Sequence, residues 1–180
     1  MNIEIRDAKK EDVEIVAWTV LTALDMVETD EMEKFIMSCS EDDSIYSWRN
    51  SIVATVDGKT VGCLIAYEGS CYKELRNKSW FQLWDDMDSE YLKTIEAETV
   101  DGEFYFDSMA ILPAYRGYSI GKKLLMYAVE KGKDLGCMYS TLLVDVNKPR
   151  LEAYYKSIGF EQYGEMEYFG HDYKRMRYAK

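Results

Sequence analysis

The residues whose types and spacing could do chemistry are concentrated in one stretch, PAYRGYSIGKKLL at residues 113–125. Gly117 and Gly121 flank Ser119, and Arg116 adds positive charge beside them. Where a helix begins, the first backbone N–H groups lack a partner within the helix, and the helix dipole places partial positive charge there. Glycine also lets a ligand approach the backbone closely. The stretch therefore predicts a site that binds phosphate or pyrophosphate through backbone donors.

The same residues have a simpler interpretation, an ordinary strand-to-helix turn in which the Ser119 hydroxyl caps the helix. Their spacing matches neither G-x-G-x-x-G nor G-x-x-x-x-G-K-S/T, the motifs of two common nucleotide-binding loops. Ser119 stands where a phosphate-binding loop would more naturally carry glycine, so its backbone conformation is informative. We expect a negative φ at Ser119, with its hydroxyl capping the helix or contacting a phosphate.

The composition is that of one compact domain. The chain has 180 residues, 47% of them hydrophobic, which is enough for a full core. Its 22 basic and 33 acidic residues give a net charge of -11, with a pI near 4.6. Such a surface repels nucleic acid and anionic membranes, so we expect neither as a partner. It suits a soluble enzyme and could attract a cationic substrate, although acidity also serves solubility alone.

Nothing in the sequence indicates a metal site, a disulfide framework or an export signal. The cysteines are scattered without a C-x-x-C pair, so we expect reduced thiols and no bound metal at Cys39, Cys63, Cys71 and Cys137. The first residues, MNIEIRDAKKED, carry no apolar stretch of the signal-peptide kind, and no run approaches about 18 apolar residues. We therefore predict a cytoplasmic location.

Hydrophobic periodicity and turn residues predict the elements that position these side chains, in the order β-α-α-β-β-(α)-β-α-β-α-β-β. Strands are predicted at 2–6, 51–56, 60–68, 103–111, 139–146, 160–168 and 171–178. Helices are predicted from an Asp7 cap to Leu24, then at 29–40, 71–100, 119–135 and 149–157. We expect Leu24 and Leu135 on buried helix faces. The predicted fold class is α/β, a single domain over 1–180 with a mixed, strongly twisted sheet of six to seven strands flanked by helices.

Two motifs in these elements resemble those of the GNAT N-acetyltransferase superfamily. Residues 107–125, DSMAILPAYRGYSIGKKLL, resemble its acetyl-CoA-binding motif, Arg/Gln-x-x-Gly-x-Gly/Ala between a strand and a helix. Arg116 and Gly121 match the ends of that motif. Residues 142–160 resemble the second motif, a strand, an Asn, a short helix and Tyr-x-x-x-Gly-Phe, filled here by Asn147, Tyr155, Gly159 and Phe160. The order of elements also fits the family fold, with an extra helical segment at 71–100 near the expected acceptor site.

The resemblance implies transfer of an acetyl group from acetyl-CoA directly to a primary amine. It implies that the cofactor pyrophosphate is held by the loop residues Arg116, Gly117, Tyr118, Ser119, Ile120, Gly121 and Lys122. The pantetheine arm is an extended amide chain that can pair with strand backbone, for which we expect Met109, Ala110 and Ile111, beside a splayed neighbouring strand that ends near Asn147. A backbone N–H of the first strand is the expected donor to the thioester oxygen as negative charge develops there.

Tyr155 is the candidate general acid for the leaving thiolate. A phenol with a pKa of about 10 is protonated at neutral pH, and full donation to a thiolate whose thiol has a pKa of about 8.5 is uphill by roughly 2 kcal/mol. Partial donation in the transition state is still useful. Asp107 is the candidate general base, with Glu103 and Glu68 as alternatives. Each residue also has an interpretation without a catalytic role. Tyr155 could be a packing residue beside Tyr154, and Asp107 could be a solvated or ion-paired carboxylate.

The stretch WFQLWDDMD within the extra segment has two interpretations. Its rings attract cations and its acids favour an ammonium group, so it could form an acceptor wall of Trp80, Trp84, Asp85, Asp86 and Asp88. Such a wall would suit a polyamine, an amino sugar or a basic peptide end. Alternatively, the stretch is an amphipathic helix with both tryptophans in the core and the acids in water.

Three functions fit these observations. The first is an amine N-acetyltransferase that uses acetyl-CoA, and the second is a non-catalytic acyl-CoA-binding or sensor domain of the same fold. The third is an acyltransferase with another acyl donor. The single histidine, His171, is expected to be structural or exposed. Aromatic residues near the C-terminus permit a homodimer, through Tyr163, Tyr168, Phe169 and Tyr173.

Overall fold

The computed structural model describes residues 1–28, 30–85 and 87–179. Its strands are β1 Ile3–Asp7, β2 Ser51–Val56, β3 Lys59–Glu68, β4 Glu103–Ile111, β5 Tyr139–Asp145, β6 Phe160–Tyr168 and β7 His171–Tyr178. Its longer helices are α1 Val13–Ala23, α2 Met32–Ser40, α3 Tyr72–Leu83, α4 Ser89–Thr94, α5 Ile120–Asp134 and α6 Pro149–Ile158. The predicted order of elements is confirmed, and four predicted strands have the observed bounds.

The seven strands form one mixed sheet in the order β1-β2-β3-β4-β5-β7-β6, which confirms the predicted fold class. Among the described strands, β4 and β5 pair in parallel, with α5 crossing between them, and the other neighbours pair antiparallel. Two-residue turns join β2 to β3 at Asp57-Gly58 and β6 to β7 at Phe169-Gly170. All four turn residues have positive φ, as type I′ turns require.

The sheet has a hydrophobic core on each face. One core packs α5 and α6 against the sheet and includes Phe104 and Leu124, both almost fully buried. The other packs α1, α2 and α3 against the opposite face and includes Leu21 and Tyr67. β4 lies in the middle of the sheet and contributes side chains to both cores, so its backbone is held from two sides.

Three predicted details of the helices are wrong, and each error lies at the end of an element. Asp7 is the last residue of β1 rather than a helix cap, and a turn of 3-10 helix at Lys10–Asp12 precedes α1. Leu24 and Leu135, predicted to be buried, are 41% and 49% exposed. Each follows the last residue of its helix and so leaves the face that the helix buries.

Asp12 ties the start of α1 to the sheet, and its side chain is almost fully buried. Its carboxylate accepts hydrogen bonds from Arg6 at 2.7 Å, from the backbone N–H of Lys9 at 2.8 Å and from Thr60 at 3.0 Å. Burial would raise the pKa of Asp12, but these hydrogen bonds outweigh it and hold the pKa below its usual value. The ionised carboxylate therefore joins β1, β3 and the first helix.

The described residues contain no disulfide, no metal-binding cluster and no helix that could span a membrane. The four cysteines are free, and burial raises the pKa of Cys39 and Cys63, so these two side chains remain protonated packing groups. Within residues 1–28, 30–85 and 87–179, no group of three or more His, Cys, Asp and Glu side chains could hold a metal ion. No helix in the same ranges is long and apolar enough to cross a membrane.

Gly69 lets the two ends of the segment between β3 and β4 meet. A Cβ atom at this position would lie 2.0 Å from the carbonyl oxygen of Val100 and 2.6 Å from Thr99 Oγ1. A backbone carbonyl cannot move aside as a flexible side chain can, so the contact requires glycine. This contact holds the base of α3 and α4 against the sheet.

We predict that Gly69→Ala lowers the free energy of unfolding by about 3 kcal/mol, because the added methyl group must displace the Val100 backbone. For a chain of this size, that change lowers Tm by roughly 6–12 °C, which calorimetry can measure. Gly164→Ala is the matched control, since its Cβ would make an ordinary contact with Arg175 at 3.5 Å. Equal stability of the two variants would contradict this account of Gly69.

Candidate active site

The parallel strands β4 and β5 separate part-way along their length. Their pairing begins at Glu103 and stops after Phe106 and Leu142. Beyond this point β5 remains paired with β7, and β4 remains paired with β3. The backbone of β4 after Phe106 therefore faces a gap on its β5 side. Ligands of α/β sheets bind at such places, outside the carboxyl ends of parallel strands.

A β-bulge in β4 lies at the start of this gap. The pairing of β4 with β3 skips Asp107, which is the extra residue. Before the bulge, Phe104 and Phe106 face the core under α5; after it, Met109 and Ile111 do. The alternation of side chains between faces thus shifts by one residue at Asp107. Bulges of this kind re-aim side chains and are common beside active sites.

The loop before α5 has a left-handed backbone at two residues. Ser119 has φ 60° and ψ 18°, so the expectation of a negative φ at Ser119 is wrong, and its side chain makes no capping hydrogen bond. Gly117 has φ 88°. Glycine adopts this conformation freely, whereas Ser119 holds it at a cost of about 1–2 kcal/mol. Strained backbone of this kind is concentrated at functional sites.

The loop presents a run of free backbone donors. In the part of the chain that the structure describes, the N–H groups of residues 117–122 form no hydrogen bond. The Arg116 side chain donates to the carbonyl oxygen of Ile111 at 3.1 Å, which closes the loop onto the end of β4. A cavity of about 520 Å³, here called the loop cavity, lies at this position. It is lined by Thr22, Met109, Ala110, Ile111, Tyr115, Arg116, Gly117, Ser119, Ile120, Gly121 and Tyr154.

Three residues of the predicted cofactor-binding set do not line the loop cavity. Tyr118 is 50% exposed, and Lys122 is exposed in the first turn of α5. Asn147 is exposed after β5, where its backbone N–H donates to the Asp145 carboxylate at 2.7 Å. By contrast, Gly121 packs tightly, because a Cβ there would lie 2.9 Å from Tyr154 Oη. The structure thus brings the residues from β4 and the loop together and leaves Asn147 apart from them.

A small cavity of about 30 Å³, here called the strand gap, lies where β4 and β5 separate. Tyr155 lines it together with Asp107, Met109 and other residues of the two strands and of α5. The Tyr155 ring is 9% exposed and packs edge-on against Phe160 at 5.9 Å. Burial, with a smaller contribution from Tyr154, raises the pKa of Tyr155 to about 12, so its hydroxyl stays protonated.

A second large cavity of about 430 Å³, here called the aromatic cavity, lies on the α1 side of the sheet. Eight aromatic side chains line it: Tyr46, Tyr72, Trp80, Trp84, Tyr105, Tyr168, Phe169 and Tyr173. Three of these, Tyr168, Phe169 and Tyr173, belong to the set that the sequence left open as a dimer surface. The charged members of the lining are two carboxylates, Glu98 and Asp107. The strand gap shares Asp107 with this cavity and Met109 with the loop cavity, so it lies between the two.

The two carboxylates of the aromatic cavity interact. Tyr105 donates to Glu98 at 3.0 Å, while Tyr67 and Ser108 donate to Asp107 at 2.5 and 2.6 Å. Burial, and then the charge of Asp107, raise the pKa of Glu98 to about 7. Burial also raises the pKa of Asp107, although its two hydrogen bonds oppose the change. A proton in this pair is therefore exchanged near neutral pH. Glu98 lies outside the set of site residues that the sequence predicted.

The other proposed bases have different surroundings. The Glu103 carboxylate is buried and accepts hydrogen bonds from Thr99 and Tyr163, both at 2.8 Å, as part of a structural network. Glu68 is exposed at the end of β3. The His171 side chain is 60% exposed. None of these three residues lines the aromatic cavity or the strand gap.

The two interpretations of the tryptophan stretch both describe part of the structure. Trp80 is 7% exposed and meets Trp84 edge-on at 5.5 Å, as core residues do. Both rings nevertheless line the aromatic cavity. Asp85 is exposed, and Asp88 caps α4 through two backbone N–H groups. Asp86 lies outside the described residues. The tryptophans therefore form a wall, whereas the described acids of this stretch do not line it.

Arg76 holds this wall together, and it is 2% exposed. Its guanidinium donates to the carbonyl oxygens of Leu92 at 2.9 Å and Ile95 at 3.3 Å. The same group lies 5.3 Å from the ring centre of Tyr72 and 5.5 Å from that of Trp80. The Arg76 cation thus joins α4 and the residue that follows it to α3, and its contacts lie within the wall.

Solved structures of acetyltransferases share this architecture. An N-acetyltransferase from Staphylococcus aureus Mu50 superimposes with a TM-score of 0.79 and 26% identity, covering 97% of this chain and 99% of that one. PaiA N-acetyltransferase from Thermoplasma acidophilum, solved in complex with coenzyme A, gives a TM-score of 0.59 and 16% identity over 99% and 100% of the chains. The second likeness, at this identity, is one of fold.

The sequence profile of the acetyltransferase (GNAT) family matches residues 13–160. A comparison with curated protein sequences gives no match. The fold defines an acyltransferase. The chain belongs to the GNAT acetyltransferase family, as its two motifs predicted.

We predict that Ser119→Gly raises the free energy of unfolding by about 0.5–1 kcal/mol, because relief of left-handed strain exceeds the added entropy of the unfolded chain. Ser157→Gly is the matched control, since Ser157 lies on the exposed face of α6. This control should lose stability, because glycine is unfavourable within a helix and the substitution removes the hydrogen bond that the Ser157 hydroxyl donates to the carbonyl oxygen of Tyr154 at 2.7 Å. Urea unfolding of both variants measures the difference, and a loss at Ser119 as large as that at Ser157 would refute the strain.

Proposed function

We propose that this acyltransferase moves an acetyl group from acetyl-CoA to a primary amine by direct attack. The observation that carries the proposal is that the strand gap lies between the loop cavity, which has free backbone N–H groups, and the aromatic cavity, which has two carboxylates. In the reaction, the bond between the acetyl carbon and sulfur breaks and a bond to the amine nitrogen forms. The ammonium group loses two protons as it becomes an amide; the leaving thiolate gains one, and the other passes through the base to water.

The loop cavity fits a pyrophosphate-bearing cofactor. Free N–H groups at residues 117–122, at the start of a fifteen-residue helix, match the anion sites that backbone donors and a helix dipole create. In this proposal Met109, Ala110 and Ile111 hold the extended pantetheine arm along β4, where the backbone lacks a β5 partner. A backbone N–H of β4 beside the gap would stabilise the negative charge on the thioester oxygen.

Tyr155 is proposed as the general acid. It lines the strand gap, and its pKa of about 12 keeps the hydroxyl protonated throughout the neutral range. Complete transfer to a thiolate whose thiol has a pKa of about 8.5 would be uphill by roughly 5 kcal/mol. The useful contribution is therefore a hydrogen bond to the sulfur as its charge develops, rather than early proton transfer.

Glu98 and Asp107 are proposed to remove the proton from the attacking amine. Both line the aromatic cavity, and Asp107 also borders the strand gap, where the acetyl group would lie. A base with a pKa of about 7 is half ionised at neutral pH, which suits general base catalysis. Asp107, at the bulge, borders the strand gap and is therefore nearer to the attacking amine than Glu98 is. Glu98 receives the proton from Asp107, or from the amine through a water molecule. We further propose that residues 1–180 act as one domain whose 71–100 segment encloses the acceptor.

The proposed function is tested by release of free thiol when acetyl-CoA is mixed with a panel of primary amines. We expect amine-dependent release by the wild-type protein and a 10-fold or greater decrease in kcat for Tyr155→Phe, with acetyl-CoA binding retained. Tyr139→Phe is the control, because Tyr139 is 44% exposed at the start of β5, away from the gap. Binding of acetyl-CoA without release for any amine would instead indicate the non-catalytic alternative.

The pH dependence of kcat/KM tests Glu98 as a general base. Below its pKa Glu98 is protonated and cannot accept a proton, so kcat/KM should rise with pH through about 7 and then level. Glu98→Gln should remove this rise of kcat/KM through pH 7. The same substitution should raise Tm at pH 8, because burial disfavours the charged carboxylate that it replaces. The groups acting on Glu98 are Asp107, Tyr105, Tyr168 and Arg76. An unchanged pH profile would assign the proton to another group.

A further inference from the structure

The aromatic cavity has its two carboxylates in the inner part of its lining and apolar side chains at its open side. The carboxylates Glu98 and Asp107 lie beside deeply buried rings such as Tyr105, which is 3% exposed. At the open side the lining is apolar and more accessible, with Leu24 at 41% and Phe169 at 52% exposure. An amine entering here would place its ammonium group at the carboxylates and the rest of its body among rings and aliphatic side chains.

The cavity has nothing to receive a carboxylate. Among the described lining residues there is no Lys, Arg or His. The cation behind the wall, Arg76, is 2% exposed, and its donors are taken by Leu92, Ile95 and the Asn77 side chain. The charge of Arg76 already acts on Glu98 from behind the wall, so a carboxylate next to the acceptor's amine would be a third negative group beside Glu98 and Asp107. Like charges so close in a partly desolvated site repel strongly.

Phe169 forms the outer wall in a conformation that its side chain disfavours. It has φ 50° at the first central position of the β6–β7 turn, where Asn, Asp or Gly is usual. Its ring lies 5.9 Å from Trp80 and 4.7 Å from Tyr168. A strained, half-exposed aromatic residue at a cavity mouth suggests a binding role rather than a folding role.

We infer that the aromatic cavity binds a primary amine attached to a short apolar body, without a carboxylate beside the amine, and that Phe169 is the outer contact of that body. This inference rests on the proposed function, because it names the acceptor of the same site. It narrows the acceptor from basic molecules in general to an apolar monoamine. Amino acids are excluded by charge, and a diamine would leave its second ammonium group among apolar side chains.

The inference is tested by calorimetric titration of the whole chain with three probes. 2-Phenylethylamine and phenylalanine differ only in the carboxylate, and 1,4-diaminobutane replaces the ring with a second ammonium group. We expect 2-phenylethylamine to bind at least 10-fold more tightly than either of the others. Equal or tighter binding of phenylalanine or of the diamine would overturn the inference, as would no binding of 2-phenylethylamine at millimolar concentration.

Phe169→Gly tests the outer contact without the risk of unfolding, because glycine adopts the required φ freely. We expect a 10-fold or greater loss in affinity for 2-phenylethylamine with Tm unchanged or raised. Phe81→Ala is the control, since Phe81 is 47% exposed on α3 and lies outside the cavity lining. Unchanged affinity in Phe169→Gly would refute its role.

The two proposals fail separately. If 2-phenylethylamine binds selectively but no amine releases thiol from acetyl-CoA, the acetyl transfer is wrong and the binding preference stands. If amines do release thiol but phenylalanine is bound and used as well as 2-phenylethylamine, the transfer stands and the acceptor class is wrong.

Discussion

The separation of β4 from β5 after Phe106 and Leu142 is the constraint on which the rest of the site depends. A continuous sheet would satisfy the backbone of β4 and close the space between the two faces. Here β5 keeps its order through β7, and β4 keeps its order through β3, so the gap is held open by pairing on both outer sides. The crossover helix α5 then begins beside the end of β4, which brings its free N–H groups to the same place.

The bulge at Asp107 decides how the two faces share this gap. Met109, Ala110 and Ile111 line the loop cavity, whereas Tyr105, Asp107 and Ser108 line the aromatic cavity. A carboxylate on one face is thus adjacent to unpaired backbone on the other. The aromatic wall is built separately, by a segment that Gly69 joins to the sheet and that Arg76 holds together through carbonyl groups and ring faces.

Much of the fold followed from local patterns, and much of the site did not. The hairpin at Asp57-Gly58 and the strand at 103–111 were predictable because turn residues and alternation act over a few neighbours. Glu98 was missed because it lies in an irregular stretch, and its environment comes from Tyr105 and Asp107 on the following strand. The left-handed backbone of Ser119 was not predicted because serine prefers a negative φ, so the residue type points away from the observed angle.

The aromatic cavity has a further consequence for turnover. Its charges are both negative, so it attracts a substrate that is cationic in water. In the proposed reaction the amine becomes an amide, which carries no charge. The electrostatic attraction that favours binding of the substrate is therefore absent for the product, and the two carboxylates are better solvated once the product has left. Product inhibition by the acetylated amine should consequently be weak, because the reaction removes the charge that the cavity binds.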